Sequence, residues 1–346
     1  MLLKPQELRD ALADPRAPER LSAAAGVPLI VVPVVDAAGA QHLTGLDVTS
    51  LPTVVVLQVP DPEVIGDPDL LAVADIVLTD DPTAARPFTG PEDGPEAELE
   101  RLSAMVHAQP VAAAALVLLL RSSSTLSVAA ALVAESSTYS ALQAGAEFLR
   151  WRAGRPMRAA DGVDQAGDRI RLERTGPELR ITLTRPGRRN ALDAAMRDAL
   201  TEALALAVLD DGCSVRIDAL GPDFCAGGDL DEFGARPDPA IAHLTRLSRS
   251  PARLMHALAD RTVARVHGAC LGAGIELPAF AGTVIATADA RFALPEIALG
   301  LIPGAGGTVS LPRRIGRQRT GYLALTGRPI PARQALAWGL VDEIQP

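Results

Sequence analysis

The sequence lacks several features that mark particular protein classes. Its only cysteines are Cys213, Cys225 and Cys270, with no C-x-x-C pair, so no disulfide framework is implied and we expect a cytoplasmic protein. The longest apolar run, Val111–Leu120, is too short to cross a bilayer. The charged N-terminus contains no apolar segment typical of a signal peptide. We therefore expect neither a secreted nor a membrane protein.

Positive charge is scarce in the first third of the chain. Residues 1–100 carry 18 acidic and 5 basic residues, a net charge of −13, and residues 101–346 carry 24 and 28, a net charge of +4. The acidic first third argues against a nucleic-acid partner. The mildly basic remainder would suit a phosphorylated small molecule, although solubility explains it equally well. The composition, 48% hydrophobic and 22% charged, is typical of a globular protein.

The first part of the chain predicts strands followed by helices. Short β-branched runs at 29–35, 54–59 and 76–79 predict buried strands. Residues 80–98 contain four prolines and many acidic residues and predict a surface linker, whereas 99–153 predict helices. One amphipathic helical face is indicated by apolar residues at helical spacings of three, four and their sum, seven: Leu132, Tyr139, Leu142, Ala146 and Leu149.

A second pattern begins after a segment rich in Arg, Gly and Asp at 152–167, which we interpret as a domain boundary. A hairpin is predicted at 169–184 and a helix at 193–209, with Asp193 as its N-cap. Strands and helices then alternate, which argues for an α/β fold. The predicted strands are 214–219, 262–266 and 283–286, and the predicted helices are 238–259 and 273–281.

Three turns rich in Gly, Ala or Pro follow predicted strands, at Gly221–Phe233, Val266–Leu277 and Ala290–Thr308. Gly227-Gly228 and Gly272-Ala273-Gly274 allow close approach of the backbone to a ligand. Two such turns that face each other would offer two N–H donors to one oxygen, which stabilises an enolate or oxyanion. Each turn taken alone is more simply a tight turn.

Two carboxylates accompany these turns. Glu276 and Glu296 both lie among Leu, Ile, Ala and Gly, so burial should raise their pKa values. If they face one cavity they titrate together, and one protonated and one ionised carboxyl can serve as acid and base. The structural alternative is a helix-dipole contact for Glu276 and an exposed Glu296.

The three segments together resemble the enoyl-CoA hydratase/isomerase (crotonase) family. TRPGRRNALD at 184–193 and TGRPIPARQALAWGLVDEI at 326–344 add to this resemblance, which covers about residues 168–346. It implies an α/β catalytic core, a crotonase-like ββα spiral, over 168–346. A shorter N-terminal α/β-plus-helical domain would occupy 1–155.

The resemblance also implies roles for individual residues. The N–H groups of Gly228 and Ala273 would form an oxyanion hole for a thioester carbonyl. Glu276 would activate water, Glu296 would exchange the proton at C2, and the backbone of Gly304 would help to place the water. A second set would contact coenzyme A, along the adenine and pantetheine channel or at its phosphates: Ala226, Asp229, Leu230, Arg188 and Arg189.

The implied function is that of a lyase of fatty acid metabolism, an enoyl-CoA hydratase that adds water reversibly to a 2-enoyl-CoA thioester. Coenzyme A would enter only as part of the substrate, and we expect no metal site and no other cofactor. Family resemblance further implies a homo-oligomer, a trimer or hexamer. Two alternatives stay open: an enoyl-CoA isomerase, which can work with one glutamate, and a non-catalytic CoA-binding or scaffold subunit.

Two departures from the family pattern carry expectations of their own. Pro278 falls inside the helix predicted after Glu276, where it would remove a hydrogen bond and kink the helix. The sequence ends at Pro346, before the C-terminal helices that family members normally have, and residues 131–151 are similar to those helices in pattern. We hypothesise that the N-terminal part is a degenerate copy of the family whose helices take their place. An unrelated helical domain is the alternative.

Overall fold

The described residues form three β-sheets, one in the N-terminal part and two in the C-terminal part. The computed structural model describes residues 1–123, 125–155, 168–235 and 238–345. The predicted boundary at 152–167 lies largely outside the described residues. The strands, in chain order, are β1 Leu29–Pro33, β2 Val54–Gln58, β3 Ile76–Leu78, β4 Phe88–Thr89, β5 Ile170–Thr175, β6 Glu178–Leu183, β7 Ser214–Ala219, β8 Thr262–Val266, β9 Ala269–Leu271, β10 Thr283–Thr287, β11 Arg291–Ala293, β12 Ile330–Pro331 and β13 Glu343–Gln345.

The α-helices of the described residues alternate with these strands or follow them. In chain order they are α1 Pro5–Leu12, α2 Ala17–Arg20, α3 Ala37–Gln41, α4 Pro95–Ala108, α5 Pro110–Ser123, α6 Val128–Gln143, α7 Ala146–Ala153, α8 Ala194–Val208, α9 Pro239–Ser248, α10 Pro251–Ala257, α11 Ala273–Glu276, α12 Gly307–Ile315, α13 Arg317–Thr326 and α14 Ala332–Trp338. Single 3₁₀ turns occur between them, including Pro278–Phe280 and Glu296–Leu299.

The N-terminal sheet is four-stranded and wholly parallel, in the order β1-β2-β3-β4. The three strands predicted from β-branched runs are confirmed, and their residues are almost all buried. The predicted surface linker at 80–98 is wrong in its middle, where β4 lies, and at its end, where α4 begins at Pro95 and Glu98 is buried. Phe88 pairs with Val77 in this strand and Thr89 is 1% exposed. A two-residue strand is too short to show any periodicity.

Four helices, α4 to α7, follow this sheet and confirm the predicted helical region. The single apolar face expected from Leu132 to Leu149 is interrupted, however, because α6 ends at Gln143 and α7 starts at Ala146. Because α7 is a separate helix, its buried face does not continue the face of α6. As a result Leu149 is 53% exposed, and Glu147 and Phe148 point inward in its place.

The six-stranded sheet of the C-terminal part has the order β13-β10-β8-β7-β6-β5, parallel except for the predicted hairpin β5–β6. A small sheet, β12-β11-β9, lies beside it. Asp193 caps α8 as predicted, accepting the Met196 N–H at 2.7 Å. The helix predicted over 238–259 is two helices, since Pro251 starts a new one that Ser250 caps. The observed architecture is the α/β class that the alternation predicts.

The N-terminal and C-terminal parts share one apolar core, in which Leu102 and Leu116 are buried together with Val309 and Leu323. Helices α5 and α6 pack on α12, and α4 and α5 pack on α13. No helix among the described residues is long and apolar enough to span a membrane alone. Helices α4 and α5 meet that test only as a pair, and they are bent by 107°.

Candidate active site

A cavity of about 230 Å³ lies where α6, α11 and the loop before α12 meet the turn at Gly227-Gly228. It brings together all five residues predicted to be catalytic. They are Gly228, Ala273, Glu276, Glu296 and Gly304, and all of them line the cavity. The sequence places these residues on three separate turns, and parallel strands bring the turns to one place.

The two glycine-rich bends lie against each other. The Cys225 N–H donates to Ala269 O at 3.1 Å and the Leu271 N–H donates to Cys225 O at 3.0 Å, which fixes the two chains side by side. Gly272 has φ +48°, and a Cβ there would lie 2.3 Å from Oε1 of Glu296. Glycine is therefore required at 272 both for the backbone conformation and for space.

Three backbone N–H groups in the cavity wall are available to a ligand. Within the described ranges, the N–H groups of Gly228, Ala273 and Gly304 donate to no protein acceptor. Ala273 is the first residue of α11, and the first amides of a helix have no intrahelical partner. Donors of this kind can bind an oxygen that develops negative charge during a reaction.

Glu276 is held in position by the loop before α12 and by the first residue of that helix. Its Oε2 accepts the N–H of Ala305 at 2.7 Å and the N–H of Gly307 at 2.8 Å, and the residue is only 2% exposed. Burial, followed by the charges of Glu296 and Glu135, raises the pKa of this carboxyl well above its usual range. The expected helix-dipole contact of Glu276 is found, but to α12 rather than to its own helix.

Glu296 lies on a 3₁₀ turn across the cavity and is 8% exposed, so the alternative of an exposed Glu296 is wrong. Its Oε2 is buried without a hydrogen-bond partner in the described structure. Burial raises the pKa of Glu296 to about 8, and the nearby charge of Glu135 acts in the same direction. The predicted rise in both pKa values is thus confirmed. An unpartnered buried carboxyl with such a pKa is suited to carrying a proton.

Sequence reasoning missed two residues of the site, Glu135 and Tyr139, which α6 brings from the N-terminal part. Glu135 is 2% exposed and binds the loop before α12. The Tyr139 ring, assigned from sequence to the helix core, is buried but also lines the cavity, and a Cβ on Gly304 would lie 2.4 Å from it. A usable signal existed, because Glu135 shares the apolar face of Leu132 and Tyr139.

The residues expected to contact coenzyme A lie around the rim, and only Asp229 lines the cavity. Its carboxylate pairs with Arg185 at 2.7 Å and is 5% exposed, so it stabilises the turn. Ala226 and Leu230 flank the bend outside the cavity, and the Ala226 N–H donates to Arg189 O at 2.9 Å. Their contact with coenzyme A stays a prediction.

The two candidate phosphate-binding arginines also lie outside the cavity, and both form ion pairs. Arg188 pairs with Asp231 at 2.5 Å and with Asp229 at 3.4 Å. Arg189, whose side chain is 56% exposed, pairs with Asp223 at 2.6 Å. A phosphate would therefore have to share these guanidinium groups with carboxylates, or displace them.

Comparison with known proteins agrees with this geometry. The family model described as enoyl-CoA hydratase/isomerase matches residues 178–346. The 2,3-dehydroadipyl-CoA hydratase of Escherichia coli (strain K12) is 41% identical over 169 residues, which are 49% of this chain and 66% of the relative. The chain belongs to the enoyl-CoA hydratase/isomerase (crotonase) family. It spans a little under two thirds of this relative and of Bacillus subtilis (strain 168) YngF, which is 36% identical over 47% of this chain and 64% of its own length.

Solved structures of the family include enoyl-CoA hydratase from Thermoplasma volcanium GSS1, 34% identical with a TM-score of 0.48 over 52% of this chain and 72% of that one. Pseudomonas aeruginosa AtuE is 39% identical with a TM-score of 0.48 over 51% and 70%. The family match over residues 178–346 and the mixed α/β sheets of the same region agree with a crotonase-like α/β fold. The matched region contains every predicted catalytic residue, whereas Glu135 and Tyr139 lie outside it.

Proposed function

We propose that this crotonase-family protein is an enoyl-CoA hydratase, a lyase that adds water reversibly to a 2-enoyl-CoA thioester. The observation that carries this proposal is the placement of Glu276 and Glu296 in one cavity, both buried and both with raised pKa values. Hydration needs one group that removes a proton and one that delivers a proton, and two carboxyls with raised pKa values supply both.

The geometry supports a mechanism in which each group has one task. The N–H groups of Gly228 and Ala273 bind the thioester carbonyl oxygen, on which negative charge develops. Glu276 removes a proton from water as the hydroxyl adds to C3, and Glu296 delivers a proton to C2. The Gly304 N–H orients the water. Losing one comparable oxyanion donor costs about 2.7–4 kcal/mol of transition-state stabilisation.

This reaction requires no electron transfer, and the two carboxyls supply its proton transfers. We therefore propose that it uses no cofactor beyond the coenzyme A of its substrate. The naming of the Escherichia coli relative as a hydratase supports the hydration reaction over isomerisation. The trimeric or hexameric assembly and the cytoplasmic location stay predictions.

The decisive experiment is the substitution Glu296→Gln, which keeps the shape of the side chain but removes its titration. We expect the loss of absorbance of a conjugated 2-enoyl-CoA to slow by about 10²–10⁴-fold, while circular dichroism stays unchanged. The exposed Glu343→Gln on β13 is the matched control and should retain full turnover.

The two alternatives give different outcomes in the same assays. Gain of conjugation from a 3-enoyl-CoA, without hydration of the 2-enoyl substrate, would show an isomerase. Binding of CoA thioesters without either turnover would show a binding or scaffold subunit. Either result would reject the hydratase proposal.

A further inference from the structure

We propose that Glu135, carried by the N-terminal part of the chain, is a positioning residue of this site that holds residues 306–308 in place and sets a third negative charge beside Glu276 and Glu296. For the activity measurements this inference rests on the proposed function. The contacts that carry it come from a part of the chain that the family model does not match.

Glu135 and Glu276 accept alternate backbone N–H groups of one segment, residues 305–308. Glu276 accepts the N–H groups of residues 305 and 307. Glu135 accepts the N–H of Gly306 at 2.7 Å and the N–H of Thr308 at 2.9 Å, and its Oε2 also accepts the Thr308 hydroxyl at 2.7 Å. The two carboxylates therefore fix alternate residues of the same segment, and neither can shift without displacing the other.

This segment forms the wall of the cavity. It runs from Gly304, whose N–H is available to a ligand, into the N-terminus of α12. The first amides of a helix carry partial positive charge and favour carboxylates. Because Glu135 binds the amides of Gly306 and Thr308 in this segment, it holds the Gly304 amide in position relative to the Glu276 carboxylate.

The position of Glu135 on α6 is itself fixed. Arg246 on α9 lies with its guanidinium carbon 4.8 Å from the centroid of the Tyr139 ring, and it donates to Ser136 Oγ at 3.1 Å and to Ser140 Oγ. Arg246 is the cation that faces Glu135, and it favours the ionised carboxylate. Among the described residues, Tyr139, Glu276 and Glu296 also interact electrostatically with Glu135, and His243 of α9 contacts the adjacent Ser136 at 2.9 Å.

Glu135 is more than a helix cap because its charge acts on the reacting groups. Burial raises the pKa of Glu135 to about 7, and its negative charge raises the pKa values of Glu276 and Glu296. Both oxygens of Glu135 are occupied by protein donors, so it does not itself remove a proton from substrate. It therefore acts through its neighbours.

The test is the substitution Glu135→Gln, which removes the charge. The glutamine amide has one acceptor oxygen, whereas the glutamate carboxylate has two. We expect kcat to fall by about 10²-fold through misplacement of the wall, with KM for the CoA thioester little changed. The basic limb of the pH–kcat/KM profile should move to lower pH by about one unit, because a like charge has been removed. Carboxyl ¹³C NMR titration should show the same shift for Glu296, whether or not the enzyme turns over.

The neighbouring Glu147→Gln is the matched control. Glu147 is also buried and accepts two amides at a helix N-terminus, those of Val111 at 2.8 Å and Ala112 at 2.9 Å, but it does not line the cavity. This variant should lose stability without moving the pH profile. If Glu135→Gln does not fold, Thr308→Val removes only the hydroxyl contact and should raise the pKa of Glu135 itself.

Two outcomes would overturn the inference: an unchanged Glu296 titration in Glu135→Gln, or equal changes in kcat and pH profile for both Gln variants. A wild-type protein that hydrates no enoyl-CoA would reject the proposed function instead. The NMR titration would still decide the role of Glu135 in that case.

Discussion

The carboxyl of Glu296 combines burial, an unpartnered oxygen and like-charged neighbours. Each of these disfavours the ionised form, and ionisation inside a folded protein then reduces stability. The feature that suits Glu296 to proton transfer is therefore expected to destabilise the fold, as is common at active sites.

We therefore expect the free energy of unfolding to depend on pH through Glu296. The pKa of Glu296 is raised from 4.5 to about 8 in the folded protein, so the folded state holds its proton more tightly than the unfolded state. The stability that protonated Glu296 contributes to the folded state is fully present below pH 4.5 and is lost as pH rises towards 8. Glu296→Gln should therefore be more stable than wild type at pH 8, by on the order of 1–3 kcal/mol, and the difference should shrink near pH 5. Thermal melts at both pH values test this, and parallel curves would contradict it.

Residue by residue, the sequence singles out Glu276 and Glu296 as candidate catalytic residues because each interrupts an apolar segment beside a glycine-rich turn. Glu135 also interrupts an apolar helical face, but no turn or motif accompanies it. Its partners, Gly306 and Thr308, lie 171 and 173 residues away. Such a contact depends on the packing of α6 against α12, which no local pattern encodes.

The elements after Gly272 show how tertiary contacts replace helix continuity. The predicted helix at 273–281 is a single turn, α11, followed by a 3₁₀ turn that starts at Pro278. The proline occupies the first position of that turn, where a missing N–H costs nothing. The helix therefore ends before the proline instead of continuing through it with a kink, and Glu276 is oriented by the amides of residues 305 and 307.

Pro278→Ala should consequently have little effect. We expect a change in the free energy of unfolding of less than about 1 kcal/mol and an unchanged kcat, because neither the turn nor the contacts of Glu276 depend on the pyrrolidine ring. Urea unfolding and the hydration assay measure both quantities. A large gain in activity would instead show that the proline strains Glu276.

Long periodic elements such as α8 and β7 follow from the sequence, whereas β4, β9 and β11 do not. These strands have two or three residues, too few for alternation to appear. The break between α9 and α10 was missed although Pro251 marks it, because the apolar spacing continues across the proline. Short elements owe their conformation to pairing with distant strands, so a local pattern does not specify them.

On the scale of the whole molecule, charge and packing join the N-terminal and C-terminal parts. Asp75, directly before β3, pairs with Arg121 at 2.9 Å and with Arg317 of α13 at 3.5 Å, and it is 3% exposed. Around the site, Trp151 of α7 packs edge-on against Phe233 at 6.3 Å. The structure thus places α6 in the cavity wall and α7 against Phe233, a lining residue, where our hypothesis has these helices replace C-terminal ones. Descent from a degenerate family copy stays a hypothesis.

Deletion of residues 1–155 tests whether these helices are needed. Without them Tyr139 no longer covers Gly304, Glu135 no longer binds residues 306–308, and the apolar faces of α12 and α13 become exposed. Large exposed apolar surfaces favour aggregation. We expect a fragment that is insoluble or lacks hydration activity, judged by size-exclusion chromatography and the absorbance assay beside the full chain.

A protease recognition sequence inserted between residues 155 and 168 separates loss of covalent linkage from loss of the helices. Because the contacts across the two parts are a shared core and ion pairs such as Arg317–Asp75 and Arg328–Glu98, the cleaved pieces should co-elute and retain turnover. Urea should then separate them at a lower concentration than unfolds the uncleaved chain, since cleavage makes the association bimolecular. A 168–346 piece that separates freely and stays active would contradict the dependence of the site on α6.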